Sequence, residues 1–213
     1  MSDDIRTRKR PAVSKADKSQ RRYEILSAAK NVFSRNGFHA TTMGDIAREA
    51  GLAYGSVYQY FDSKEDLFHA LMSVEADALR LHVVAAINAT REQPQESWKP
   101  LHAIVRAALE FFEADAATTT LLLRDAYVLG GSFEKHLGKI YERFLEEMEG
   151  QMADAQPHGK VLGAPPRLVA FSISVLIGQL AHRRLTTDDG VTAAEVADFI
   201  VSLLGNSVER AES

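Results

Sequence analysis

Cysteine is absent from this chain of 213 residues. That excludes a disulfide framework and any thiolate metal site, and it fits a reducing, cytoplasmic setting. No apolar run approaches the roughly 20 residues that span a bilayer. The charged N-terminal segment lacks a signal peptide's apolar core, so export is not expected. Alternating runs of β-branched residues with hairpin signals are also missing, which leaves no strand to expect. The seven histidines (His39, His69, His82, His102, His136, His158, His182) make no His-Glu-x-x-His pairing. A phosphate-cradling glycine loop and a Gly-x-Ser-x-Gly elbow are lacking too. Glu146, Glu147 and Glu149 read as a solvated helix face. No catalytic residue, metal ligand or cofactor is therefore assigned, and an enzyme is not expected.

What is present is ordinary in amount but uneven in placement. Apolar content of 46% and charged content of 25% suit a soluble globular chain. The net charge of −4 hides an asymmetry. Residues 1–70 carry 12 Lys and Arg against 9 Asp and Glu; residues 71–213 carry 13 against 20. A positive end on a negative body is what phosphate binding by that end requires, although a charged tail can equally be mere solvated surface.

Residues 1–18 have few apolar anchors and read as a flexible basic arm. Helical spacing of Ile25, Leu26, Ala29, Val32 and Phe33 predicts a helix over 19–36, with Gly37 as a left-handed C-cap and Phe38 folding back. Thr42 with Asp45 is a capping pair that opens a helix over 43–50, and Gly51 permits a tight turn into a helix over 54–60. Ser63 and Asp66 cap a long fourth helix reaching about residue 88. Further helices are predicted over 98–114, 119–129, 132–156 and 165–185. The last follows the capping box Thr192-Ala193-Ala194-Glu195 and runs to about residue 205. The fold class is all-α, with nine helices and no sheet.

The stretch from Thr41 to Phe61 has the layout of a helix-turn-helix, whose first helix braces the second against the major groove. Val57 and Phe61, four residues apart, should pack on Ile46, Ala47 and Ala50. That leaves Tyr54, Gly55, Ser56, Tyr58, Gln59 and Tyr60 outside. Gly55 removes bulk where backbone must approach DNA, and Gln59 can pair with adenine N6 and N7. The tyrosines offer hydroxyls to phosphates and ring faces to thymine methyls. Thr42, Arg48 and Lys64 read as backbone clamps, which position rather than specify. The competing reading makes the tyrosines ordinary core and the helix-turn-helix a common bundle feature.

Residues Arg21 to Leu71 resemble the TetR (tetracycline repressor, AcrR-type) family of bacterial regulators. The motifs are Gly37-Phe38, Thr41-Thr42, Ile46-Ala47, Ala50-Gly51, Gly55-Ser56-Val57-Tyr58, Tyr60-Phe61 and Ser63-Lys64-Glu65-Asp66-Leu67. Ala53 departs from the pattern, where a hydroxyl residue is common. The resemblance implies a homodimer with a three-helix DNA-binding head at 19–63 and a ligand-binding and dimerisation body at 64–213. By motif position it implies DNA contacts from Thr42, Tyr54, Gly55, Ser56, Tyr58, Gln59, Tyr60 and Lys64.

The last two helices are more apolar than one packed face needs. Leu168, Phe171, Val175, Leu176 and Gln179, with Val196, Phe199, Ile200 and Leu203, are expected at a dimer interface. The bland alternative is that they cover only their own core. Ile104, Leu109, Phe112, Leu122, Tyr127, Phe144, Met148, Ile173 and Ile177 are expected as apolar walls of an effector pocket, each against the alternative of plain core, and Arg124, beside Asp125, either orients a polar group or forms an ordinary ion pair. The expectation is a ligand-responsive regulator, a repressor by the family's habit, that leaves a palindromic operator when a small, largely hydrophobic effector binds. The rivals are an all-helical enzyme or small-molecule carrier without a DNA role, and a structural adaptor bundle.

Overall fold

Gly37 ends the first straight run of the chain. In this computed structural model, which describes residues 15–90, 99–125, 132–155, 164–187 and 190–209, α1 spans Lys15–Ala40 and is kinked there at φ 75° and ψ 165°. That conformation is not the expected left-handed cap but an extended region open to essentially glycine alone. A last helical turn follows and carries Phe38 back into the core, its ring 5.7 Å from Phe33 and 5.1 Å from Phe68. The helix also begins four residues earlier than predicted, so Lys15 to Lys18 belong to it.

The capping box expected at Thr42 and Asp45 is formed. The Asp45 amide donates to Thr42 Oγ1 at 3.2 Å, and the Thr42 amide donates to Asp45 Oδ2 at 3.0 Å. Helix α2 (Met43–Glu49) follows. Gly51, at φ 66°, makes the turn to α3 (Tyr54–Val57). Helix α3 begins where expected, without a side-chain cap from Ala53, but is shorter because the chain beyond Val57 continues in i to i−3 turns.

Helix α4 (Lys64–Thr90) is 27 residues long, about 40 Å at 1.5 Å per residue. Its first turns put Leu67, Phe68, Leu71 and Met72 into the head core, while Val83 and Ile87 belong to the body core. The body continues through α5 (Lys99–Ala114), α6 (Ala116–Thr119), α7 (Ser132–Ala155), α8 (Pro166–Thr186) and α9 (Ala193–Glu209). Those are nine helices among the described residues, with a π-helical segment, Thr120–Asp125, running on from α6. The sequence reading opened this element at residue 119 and overlooked Asp115. Its carboxylate caps α6 by accepting from the amides of Ala117 and Thr118 at 3.0 and 3.1 Å. Leu121, in the π-helical turn, is buried in the head core. Among the described residues no helix is long and apolar enough to cross a membrane.

Helix α8 is apolar on two sides. Val169, Ala170, Ile173, Ile177 and Ala181 are buried in the body, whereas Leu168, Phe171, Val175, Leu176 and Gln179 are exposed along one stripe. Helix α9 divides the same way: Phe199 and Leu203 are exposed, but Val196 and Ile200 are not. Those two were expected at a subunit interface and instead fill the chain's own core, since α9 packs on α5 through them.

Head and body are clasped by a part-buried ionic group. Lys30 of α1 reaches Glu75 Oε1 of α4 at 3.0 Å and Asp115 Oδ2 at 2.7 Å. The Thr118 hydroxyl donates to Glu75 Oε2 at 2.6 Å. Burial works against both charges, raising the Asp115 carboxyl and lowering the Lys30 ammonium. Their mutual bonds outweigh it, so Asp115 lies below its ordinary pKa and Lys30 above. Asp115 therefore stabilises the fold above the unfolded aspartate pKa of about 4, a contribution lost as pH falls through its lowered folded value. Lys30 stabilises below the unfolded lysine pKa of about 10.4, a contribution lost as pH rises through its raised folded value. The substitution Lys30→Met, which leaves Glu75 buried without its cation, should cost about 2 kcal/mol near neutrality. In urea unfolding the gap between wild type and variant should narrow at pH 3 and below. A gap that does not change with pH would exclude the carboxylate as the partner that matters.

Candidate nucleic-acid interface

The recognition turn is oriented from inside. Val57 is 0% exposed and Phe61 1%, both packed in a core with Ile46, Ala47, Ile25 and Leu67. In one turn of helix and the turn that follows, burying those two positions turns most of the others outward. Tyr54 is 60% exposed and Tyr58 41%, and Gly55 and Gln59 are exposed as well. The two tyrosine rings lie 5.3 Å apart, tilted by 60°. Their hydroxyls share a hydrogen bond of 3.1 Å, which, with partial burial, raises the Tyr58 phenol above its ordinary pKa. Tyr58 therefore stays neutral at physiological pH, and the two rings present one amphipathic edge. A Cβ on Gly55 would meet nothing within 4 Å. The glycine thus serves no packing need within the chain, and the space above it is open to something outside.

Not every expected residue faces out equally. Ser56 is half-buried, and Tyr60 leans on the head core with Leu52. Thr42 is exposed, but its hydroxyl donates to Asp45 Oδ2 at 2.6 Å and so is already engaged in the cap. Those bonds from Thr42, aided by Arg48, hold the Asp45 carboxyl below its usual range. Arg48 has 81% of its side chain exposed and touches Asp45 Oδ1 at 3.2 Å.

Lys64 is the clear correction. Expected as a phosphate clamp, it turns inward, and its Nζ donates to the carbonyls of Phe38 and Thr41 at 2.8 Å each, with His39 at 3.5 Å. It also lies 4.3 Å from the Phe38 ring centre. An ammonium has three donors, and the carbonyls at and just beyond the end of α1 take all of them.

The sequence reading missed a groove beside α3. Lys15, Lys18, Ser19 and Arg22 of α1 line it together with Gln59 and Tyr60, around a volume of about 330 Å³. The Arg22 guanidinium sits 4.5 Å from the centre of the Phe61 ring. The spacing 15, 18, 22 on one helix face was the available signal. It passed unnoticed because residues to 18 were read as an irregular arm.

In the body, Ile104, Leu109, Phe112, Ile173 and Ile177 pack together, with Leu122 and Phe144 partly buried at the edge. Tyr127 and the side chains of Arg124 and Met148 lie outside the described residues.

Because Lys64 secures three carbonyls, Lys64→Met should lower stability by about 2 kcal/mol in chemical denaturation. Unchanged stability would return Lys64 to the role of an external clamp.

Residues 25–71, which hold α2, α3 and the turn between them, match the bacterial regulatory proteins of the tetR family. Over 189 residues the chain is 39% identical to the fatty acid metabolism regulator protein of Bacillus subtilis, covering 87% of this chain and 94% of that one. The HTH-type transcriptional regulator YfiR of the same species is 46% identical over 67 residues. That match covers 32% of this chain, which spans only 33% of the length of YfiR. Among solved structures, FadR from B. subtilis, in complex with stearoyl-CoA, superposes with a TM-score of 0.72 at 19% identity. The superposition covers 85% of this chain and 96% of that one, a likeness of fold. The chain belongs to the tetR family of bacterial regulatory proteins.

Proposed function

We propose that this protein is a ligand-responsive transcriptional regulator, a repressor, that binds a near-palindromic operator as a homodimer and leaves it when a hydrophobic effector occupies the body. The observation that carries the reading is the exposed edge of Tyr54, Gly55, Tyr58 and Gln59, held out by the buried Val57 and Phe61. Gln59 can form a bidentate contact with adenine, Gly55 lets the backbone approach, and the tyrosines meet phosphates and thymine methyls. Arg48, largely exposed near the end of α2, positions the head.

Dimerisation is supported by the exposed stripe of Leu168, Phe171, Val175, Leu176 and Gln179, continued by Phe199 and Leu203 on α9. An apolar surface of that extent on two consecutive helices is costly in water and suits a four-helix contact with a second copy. Two heads then fall on successive major grooves about 34 Å apart.

The effector is of the acyl type. The reading rests on the 39% identity to a fatty acid metabolism regulator and on the apolar lining offered by Ile104, Leu109, Phe112, Leu122, Phe144, Ile173 and Ile177. Most of those side chains are packed together, so an effector must part them. Its differential affinity for the parted state is what shifts the heads.

Mobility shift against genomic fragments, with long-chain acyl-CoA titrated in, tests this reading. One near-palindromic fragment should be retarded and then released; failure to retard any fragment would sink the DNA-binding role. On that fragment Gln59→Ala should lose about 10-fold or more in discrimination against a base-substituted site, from about 1–3 kcal/mol per bidentate contact. Equal discrimination by variant and wild type would remove Gln59 from base reading.

A further inference from the structure

The recognition edge does not end at α3. Gln59 and Tyr60, on its far side, form one wall of the groove whose other wall is the N-terminal part of α1. Lys15, Lys18 and Arg22 lie on a single face of that helix, within about 60° of one another, while Asp17 and Glu24 lie on the far side and Arg21 sits on the flank between. Among the described residues no acidic side chain lines the groove. Among the described residues, Lys15, Lys18 and Arg22 enter no ion pair, in contrast to Arg21, which holds Glu24 at 2.6 Å. Three cations are thus set side by side without compensation from the described residues. One of them is fixed in direction: the Arg22 guanidinium stacks on Phe61, the residue whose burial also orients α3. A rigid recognition turn and a cation share one anchor.

We infer that Lys15, Lys18 and Arg22 form a phosphate track for duplex DNA. It grips the sugar-phosphate backbone immediately beside the base pairs faced by Tyr58 and Gln59. This rests on the DNA-binding reading above and extends it to a surface on α1. The dimensions fit. From residue 15 to residue 22 α1 rises about 10 Å, and one DNA strand carries a phosphate about every 3.4 Å of axis. Two or three phosphates therefore lie within reach. Contacts of this kind carry no sequence information; they add affinity, set register and make binding salt-dependent. Continuity with the wall formed by Gln59 and Tyr60 favours a nucleic-acid backbone over an isolated anion, which needs no extended row.

The test is the salt dependence of operator binding by the full chain. In Lys15→Gln/Lys18→Gln/Arg22→Gln the slope of log affinity against log salt should fall by about 2 to 3, at about 0.9 for each phosphate no longer neutralised. Discrimination between operator and unrelated duplex should stay within about twofold of wild type. Arg21→Gln, outside the groove lining and already paired with Glu24, should leave the slope unchanged. Since Arg22 packs on Phe61, Lys15→Gln/Lys18→Gln carries the same test if the triple variant fails to fold, with an expected drop of about 1 to 2. A wild-type slope in these variants overturns the phosphate track while leaving the recognition turn intact. A wild type that binds no duplex at any salt overturns the DNA-binding reading itself, and the track with it.

Discussion

Burial of Val57 and Phe61 is the constraint from which the head's functional geometry follows. Helix α3 is a single turn without a side-chain cap, too short to persist on hydrogen bonds alone. It exists because two apolar side chains, four residues apart, find a complementary surface made by α1, α2 and α4. Once those are seated, helical geometry leaves little choice about where Tyr54, Tyr58 and Gln59 point. The exposed tyrosines are therefore a consequence of the core. Phe61 has a second part to play, since its ring face also supports Arg22.

The same economy appears at the junction of head and body. Helix α4 supplies apolar side chains to both cores, so the two regions are not beads on a linker. A tilt of α4 must be felt at both ends. The clasp of Lys30, Glu75, Asp115 and Thr118 ties α1 and α6 to that shared helix. Leu121 inserts beside it into the head core. Part-buried ion pairs contribute little net stability but penalise wrong geometry heavily. Such a group suits a junction required to hold one arrangement until something shifts it.

The body shows an imbalance of a different kind. Helices α8 and α9 each bury one apolar face and expose another, which for a lone chain leaves large side chains in water. The proposed dimer resolves that cost, whereas the inward faces, Val196 and Ile200 among them, are already satisfied. Apolar excess in a sequence thus identifies which helices have surplus without saying which residues constitute it.

Much of this was legible beforehand, and the residues show why. The positive φ of Gly37, the capping box at Thr42, the spacing of Val57 and Phe61 and the helical class all depend on patterns within a few positions, where periodicity and cap chemistry decide. The misreadings have a common origin. Lys64 was assigned to DNA because a cation at a helix start reads as surface. Only the fold brings the carbonyls of Phe38 and Thr41, more than 20 residues away in sequence, to its ammonium. Asp115 was overlooked, and its pairing with Lys30 spans 85 positions. The groove of Lys15, Lys18 and Arg22 became visible only when α1 was laid against α3. The sequence by itself determined the helical class, the capping box at Thr42 and the outward edge of the recognition turn, because those are local matters of spacing and backbone preference. The tertiary structure alone decided which charges are compensated within the chain and which remain available outside it, because that depends on partners brought together from distant positions.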